Sequence, residues 1–198
     1  MQPSHDMFPS LDELHQLVLA CGALPCAAWL DGTSPGEQAI EELLALLISK
    51  GVVALNIIPD RNWNIADAET RRLKVNNLYA VVQLARELEL PLNIGTEMNS
   101  FGQKLIDDFQ AQELAPVRQA FLDGAHFIYG HTLLQRALGM GYQSNWAQTR
   151  LLSRRERNAF YTRVGYLTPP GRAGQAMLSR LQPAMSPDAI LSKLNENQ

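Results

Sequence analysis

A chain of 198 residues, 46% of them hydrophobic and with a net charge of −3, is long enough for one domain with a substantial core and offers no electrostatic footprint for nucleic acid. It has no run of about 18 apolar residues that would make a membrane span, and its first ten residues, MQPSHDMFPS, lack the basic and apolar regions of a secretory leader. A cytoplasmic protein is expected. Cys21 and Cys26 form a lone C-x4-C among alanine, leucine and proline. That setting suits neither a zinc knuckle nor a disulfide scaffold, and both are expected as buried free thiols.

In chain order, SLDELHQLVLACG places Leu11, Leu14, Leu17 and Val18 at helical spacing, with Ser10 and Glu13 as a capping box and Gly22 as a stop. ALPCAAWLDG is short and apolar, and SPGEQAIEELLALLISKG is a helix that begins near Ser34 and ends at Gly51. The pattern then repeats: VVALNIIPD is a β-branched strand, DAETRRLKVNNLYAVVQLARELEL an amphipathic helix, and PLNIGTEM a third strand. ELAPVRQAFLDGA reads as mostly helix, HFIYGHT as a fourth strand, and SNWAQTRLLSRRERNAFYTRVG as helical.

Strands alternating with helices of this length predict an α/β fold of consecutive βα units around a parallel sheet. Four units suit either a small doubly wound sheet or half of a TIM-type barrel. A complete barrel needs about 250 residues, so a barrel reading leaves only its second half here, over residues 1–165. Residues 166–198, rich in proline and small side chains, read as a helical C-terminal tail packed on the body or partly mobile.

Side chains alternate along a strand, so parity sorts residues between faces. Leu92 and Ile94 share one face of the third strand, leaving Asn93, Gly95 and Glu97 on the other. Ala54, Asn56, Ile58 and Asp60 oppose Leu55 and Ile57; Trp29 pairs with Asp31, and Phe127 and Tyr129 with His131. Each of four strands thus delivers one ionisable group near its C-terminal end: Asp31, Asp60, Glu97 and His131. A carboxylate such as Glu97, at the end of a buried run, demands a compensating metal, cation or substrate.

Bland readings stand beside these. Asp31 and Asp60 equally suit loop or helix caps, Glu97 a structural salt bridge, and His131 a satisfied core histidine. His126 reads as structural, and Asp107 with Asp108 as a solvated helix start. Arg61, Asn62 and Trp63, in one loop, form a device for gripping a polar ligand, and Lys104 could reach an anion. The arginines of RLLSRRERNAFYTR read as a solvated helix face. No P-loop, dinucleotide fingerprint, G-x-S-x-G or H-E-x-x-H occurs.

At AWLDGTSPGE, ALNIIPDRNWN, IGTEMNSFGQK and YGHT the sequence resembles the later part of TIM-barrel metal-dependent hydrolases of the polymerase-and-histidinol-phosphatase (PHP) and amidohydrolase kind, over Leu11 to Gly165. The resemblance implies divalent zinc, manganese or iron held at strand tips, activating water for attack on a phosphoester or amide. It makes Glu97 and His131 metal ligands, with Asp60 a further catalytic carboxylate beside Glu97. Asp31, Arg61, Asn62 and Lys104 would bind an anionic or sugar-like substrate. The family's H-x-H pair is missing from this chain.

The first expectation is therefore a metal-dependent hydrolase-like protein acting on a small molecule. One alternative is a truncated, inactive relative that binds a ligand or partner; another is a metal-independent sugar isomerase or aldolase. Open sheet edges would be covered by a second copy or a complementary half-barrel partner.

Overall fold

The computed structural model describes residues 8–97, 101 and 105–196. Three of the expected strands form: β1 (Cys26–Trp29), β2 (Ala54–Ile57) and β3 (Leu92–Ile94), parallel and in the order β1-β2-β3. The register sets Ala27 beside Leu55 and Leu55 beside Leu92, and Trp29 beside Ile57 and Ile57 beside Ile94. Two rows of apolar side chains result, and they face helices α3 (Ile40–Ser49) and α5 (Ala68–Glu87). Leu44 from α3 and Leu78, Val81, Val82 and Ala85 from α5 complete this core. A short α2 (Pro35–Gln38) precedes α3, and α4 (Asp60–Trp63) is one turn at the tip of β2.

The opposite sheet face carries Cys26, Ala28, Asn56 and Asn93, and the Asn93 amide donates to Asn56 Oδ1 at 2.8 Å. Cys26 and Ala28 are exposed, on the second face of β1, an edge strand. Cys21 is exposed as well, so both thiols are free, as expected, but not buried. The first helix, α1 (Leu11–Ala20), has its capping box, yet His15 is its buried residue while Leu14 and Leu17 are 44% and 62% exposed. It is fastened by polar contacts, His15 to the Lys50 carbonyl and Lys50 to Asp12, rather than by its leucine stripe.

The expected fourth strand does not exist. Residues 126–132 lie in the middle of α6 (Arg118–Leu138). Its buried positions, Phe121, Gly124, Phe127, Gly130, His131 and Leu134, recur every three to four residues, and that helical period outweighs the local aromatic and β-branched content. Among the described residues the sheet therefore has three strands where four were expected.

A second core surrounds α6 and α8 (Arg154–Leu167), with Phe127, Tyr142, Trp146, Phe160 and Tyr161 meeting edge to face or tilted. Helices α7 (Asn145–Arg150), α9 (Arg172–Leu178) and α10 (Pro187–Asn195) close it. Met177, Leu178, Leu181, Ile190 and Leu194 are buried in that core, so the C-terminal segment is packed against the body as part of it.

Glycines set the helix spacing. A Cβ at Gly130 would lie 2.0 Å from the Tyr161 carbonyl oxygen, and one at Gly165 would lie 2.0 Å from that of His126. Gly124 is tighter still, 1.8 Å from the Leu92 carbonyl oxygen on β3. Backbone cannot yield there as a flexible side chain can. Gly130→Ala and Gly165→Ala are each expected to destabilise the protein by at least about 2 kcal/mol in urea denaturation. Gly36→Ala, with open space around it, should change stability by no more than about 1 kcal/mol.

Candidate functional site

The strand tips bring together three of the anticipated residues, and a fourth that pattern reading missed. Arg61, in the turn α4, donates from Nη1 to both oxygens of Glu97, at 2.8 and 2.9 Å. Its Nη2 lies 3.8 Å from Asp31 Oδ2, and Lys74 of α5 reaches the same oxygen at 2.8 Å. Carboxylates from the tips of β1 and β3 thus share two cations, one from the tip of β2 and one from a helix. The Glu97 charge is compensated by Arg61.

Asp31 is held from several sides. Its other oxygen accepts from the Thr33 hydroxyl and from the Thr33 backbone N–H at 3.1 Å, while Asn77 of α5 donates to its carbonyl at 3.0 Å. Burial pushes its carboxyl upward, but the hydrogen bonds from Lys74 and Thr33 outweigh this, and the group titrates below the ordinary aspartate range. The register explains its partners: Trp29 lies beside Ile57, on the α5 side of the sheet. Asp31 follows that parity toward α5, and not toward the face shared by Asn56 and Asn93.

Asn62 is fully buried, and its amide nitrogen donates to the carbonyls of Leu30 at 3.0 Å and Ile58 at 3.1 Å. Two carbonyl partners fix which end of the amide is nitrogen. Among the described residues its Oδ1 is left without a hydrogen bond, as are Asp60 Oδ1 and Arg61 Nε. Three consecutive residues at one strand tip therefore each carry an orphaned buried polar atom. Trp63 donates to Asp107 at 3.4 Å, and Asp107 is buried where a solvated helix start was expected. Lys104 lies outside the described residues.

His131 is elsewhere. Its Nε2 donates to the carbonyl of Gly22, which precedes β1, and its Nδ1 accepts from the Tyr142 N–H at 3.0 Å. Gly22 is at the N-terminal edge of the sheet, whereas Glu97 follows the C-terminal end of β3. The two cannot meet at one strand-tip metal, and both ring nitrogens are already committed to backbone. The expected Glu97 and His131 ligand pair thus does not fit a metal, and no cluster of three or more His, Cys, Asp or Glu side chains suited to an ion occurs among the described residues. The physical reason for the correction is that His131 belongs to a helix and to its own hydrogen-bonding turn, not to a strand end.

Lys74 and Asn77 carried no signal beyond the amphipathic helix that holds them; only the packing of α5 against β1 makes them partners of Asp31. Comparison with protein-family models, with curated proteins and with solved structures finds no match. No helix among the described residues is long and apolar enough to cross a membrane.

Burial holds the His131 ring below the usual histidine range, against the opposing pull of its bond to Gly22. With the folded value lower than the unfolded one, the unfolded chain takes up the proton first. Stability contributed by the neutral ring is therefore complete above about pH 6.5 and falls as pH drops toward the folded value, by up to about 1.4 kcal/mol per pH unit. Urea denaturation across pH 7 to 5 should show this slope, and His131→Leu should remove it. At the strand tips, Asp31→Asn is expected to cost about 1 to 3 kcal/mol at pH 7, because Lys74 loses its counter-charge.

Proposed function

We propose that this chain is a binding protein whose strand-tip cluster takes a small anionic ligand, a carboxylate or phosphate, with Arg61 exchanging Glu97 for the incoming anion. The observation that carries the reading is the position of Arg61. Its side chain is 34% exposed, its Nη1 alone serves Glu97, and its Nη2 stands beyond hydrogen-bond distance from Asp31. A guanidinium with donors in reserve is matched to planar or tetrahedral oxyanions. Glu97, 24% exposed, is then an internal stand-in for the ligand, and Lys74 with Asp31 holds the rest of the charge pattern in place.

This corresponds to the ligand-binding alternative for a truncated hydrolase relative. The metal-dependent alternative would need ligands other than His131 beside Glu97. An aldolase would need a Schiff-base lysine at the tips; Lys74 comes from α5 and its ammonium is held by Asp31. We read the sheet as a barrel segment, since its strands run in sequential order and both crossover helices, α3 and α5, pack into one core on one face. A doubly wound sheet reverses its strand order.

The test is calorimetric titration with inorganic phosphate and with malonate, together with elemental analysis of the purified protein. Arg61→Met should abolish anion binding. Glu97→Gln removes the internal competitor, a partly exposed ion pair worth up to about 1 kcal/mol, and should tighten binding by up to about fivefold. Binding weakened by Glu97→Gln, or stoichiometric zinc, manganese or iron lost in that variant, would overturn the proposal and favour the hydrolase.

A further inference from the structure

At the opposite edge of the sheet, two cavities of about 480 and 560 Å³ adjoin, sharing Gly22, Ala23, His131 and Gln135 in their walls. Both sizes fall in the range of small-molecule sites. Together they make a cleft from the start of α7, past the turn between α1 and β1, to the open sheet face with Cys26 and Asn93.

The walls are fixed before any ligand arrives. His131 ties the Gly22 turn to Tyr142 through its two ring nitrogens. One helical turn on, Gln135 Oε1 accepts from the Gly141 N–H at 3.0 Å. Gly22 has a φ of +69°, and a Cβ there would come within 3.1 Å of Gln135 Nε2. A side chain at Gly22 would therefore be strained and would crowd the wall.

Besides the free thiols of Cys21 and Cys26, the groups left unused in the cleft are mainly side-chain amides and an imidazole nitrogen. His15 is buried, and its Nδ1 donates to the Lys50 carbonyl, leaving Nε2 without a partner among the described residues. Gln135 Nε2 and the side-chain amides of Gln143 and Asn145 likewise have no partners there. Gln148 donates its amide to the Gln143 carbonyl and keeps its Oε1 free. Among the described residues no carboxylate lines either cavity, and two cations stand in the walls, Lys50, whose ammonium is 3.1 Å from Asp12, and Arg136. Amide donors and acceptors beside an imidazole nitrogen match hydroxyl groups, each of which both donates and accepts.

We infer that this cleft is a second binding site, for a small uncharged polyol of the sugar class, separate from the anion site at the strand tips. Titration of the isotope-labelled full chain with glucose, N-acetylglucosamine and myo-inositol tests it by NMR. At least one should give saturable shifts in the side-chain amides of Gln135, Gln143 and Asn145 and in the His15 ring, while the Arg61 resonances stay in place. Ala23→Trp puts bulk at an exposed position shared by both cavities, and should abolish these shifts without lowering the melting temperature. His15→Phe keeps a ring but loses Nε2 and should weaken binding at least severalfold. Absence of saturable shifts with all three polyols overturns the inference, as does a response to inorganic phosphate alone, or binding undiminished in Ala23→Trp.

Discussion

The close approach of α6 to β3 on one side and to α8 on the other is the constraint on which the rest of this structure rests. Gly124 lets the helix backbone meet the Leu92 carbonyl, and Gly130 with Gly165 lets two helix backbones touch. Without Cβ atoms at those points, dispersion contacts of the surrounding aromatic side chains close tightly enough to form a core. The same seating carries His131 and Gln135 to the N-terminal edge of the sheet, where they hold the cleft walls. One helix therefore joins the sheet to the helical half of the chain and walls the cleft on the way.

Charge is handled differently at the two ends of the sheet. At the C-terminal tips, two carboxylates and two cations come close to local neutrality, with Asp31 and Lys74 the more buried pair and Arg61 and Glu97 the more exposed. Buried ion pairs return little net stability because desolvation offsets attraction, so such a cluster is better suited to orienting groups than to holding the fold together. At the N-terminal edge the side chains left unused are mainly amides, an imidazole and two thiols, with Lys50 and Arg136 beside them. The two proposed sites would thereby sort a charged ligand and an uncharged one to opposite ends of the same three strands.

Much of this was legible without coordinates. Ser10 with Glu13, and Ser34, each precede a helix and accept from its first turn as read; Asp67, Ser144 and Ser153 do so too, though only the structure singled them out. The three apolar runs became strands, and the alternation in PLNIGTEM put Leu92 and Ile94 on the core face and Asn93 on the other. Caps and strand parity are local properties, set by steric and hydrogen-bonding preferences within a few residues. HFIYGHT failed for a related reason: its aromatic and β-branched content suits a strand, while the glycines that make it a packing helix have meaning only against partners distant in sequence.

The sequence by itself determined the βα units, the parallel sheet they imply, and the convergence of Asp31, Arg61 and Glu97 at the strand tips, because parallel connections bring every strand's C-terminal end to one edge. Only the tertiary structure decided that Glu97 is balanced by Arg61, that Lys74 and Asn77 hold Asp31, and that His131 serves the opposite edge from within a helix. Those outcomes depend on contacts between residues 36 to 109 positions apart. No local preference encodes such contacts; they follow from how closely the helices seat against the sheet.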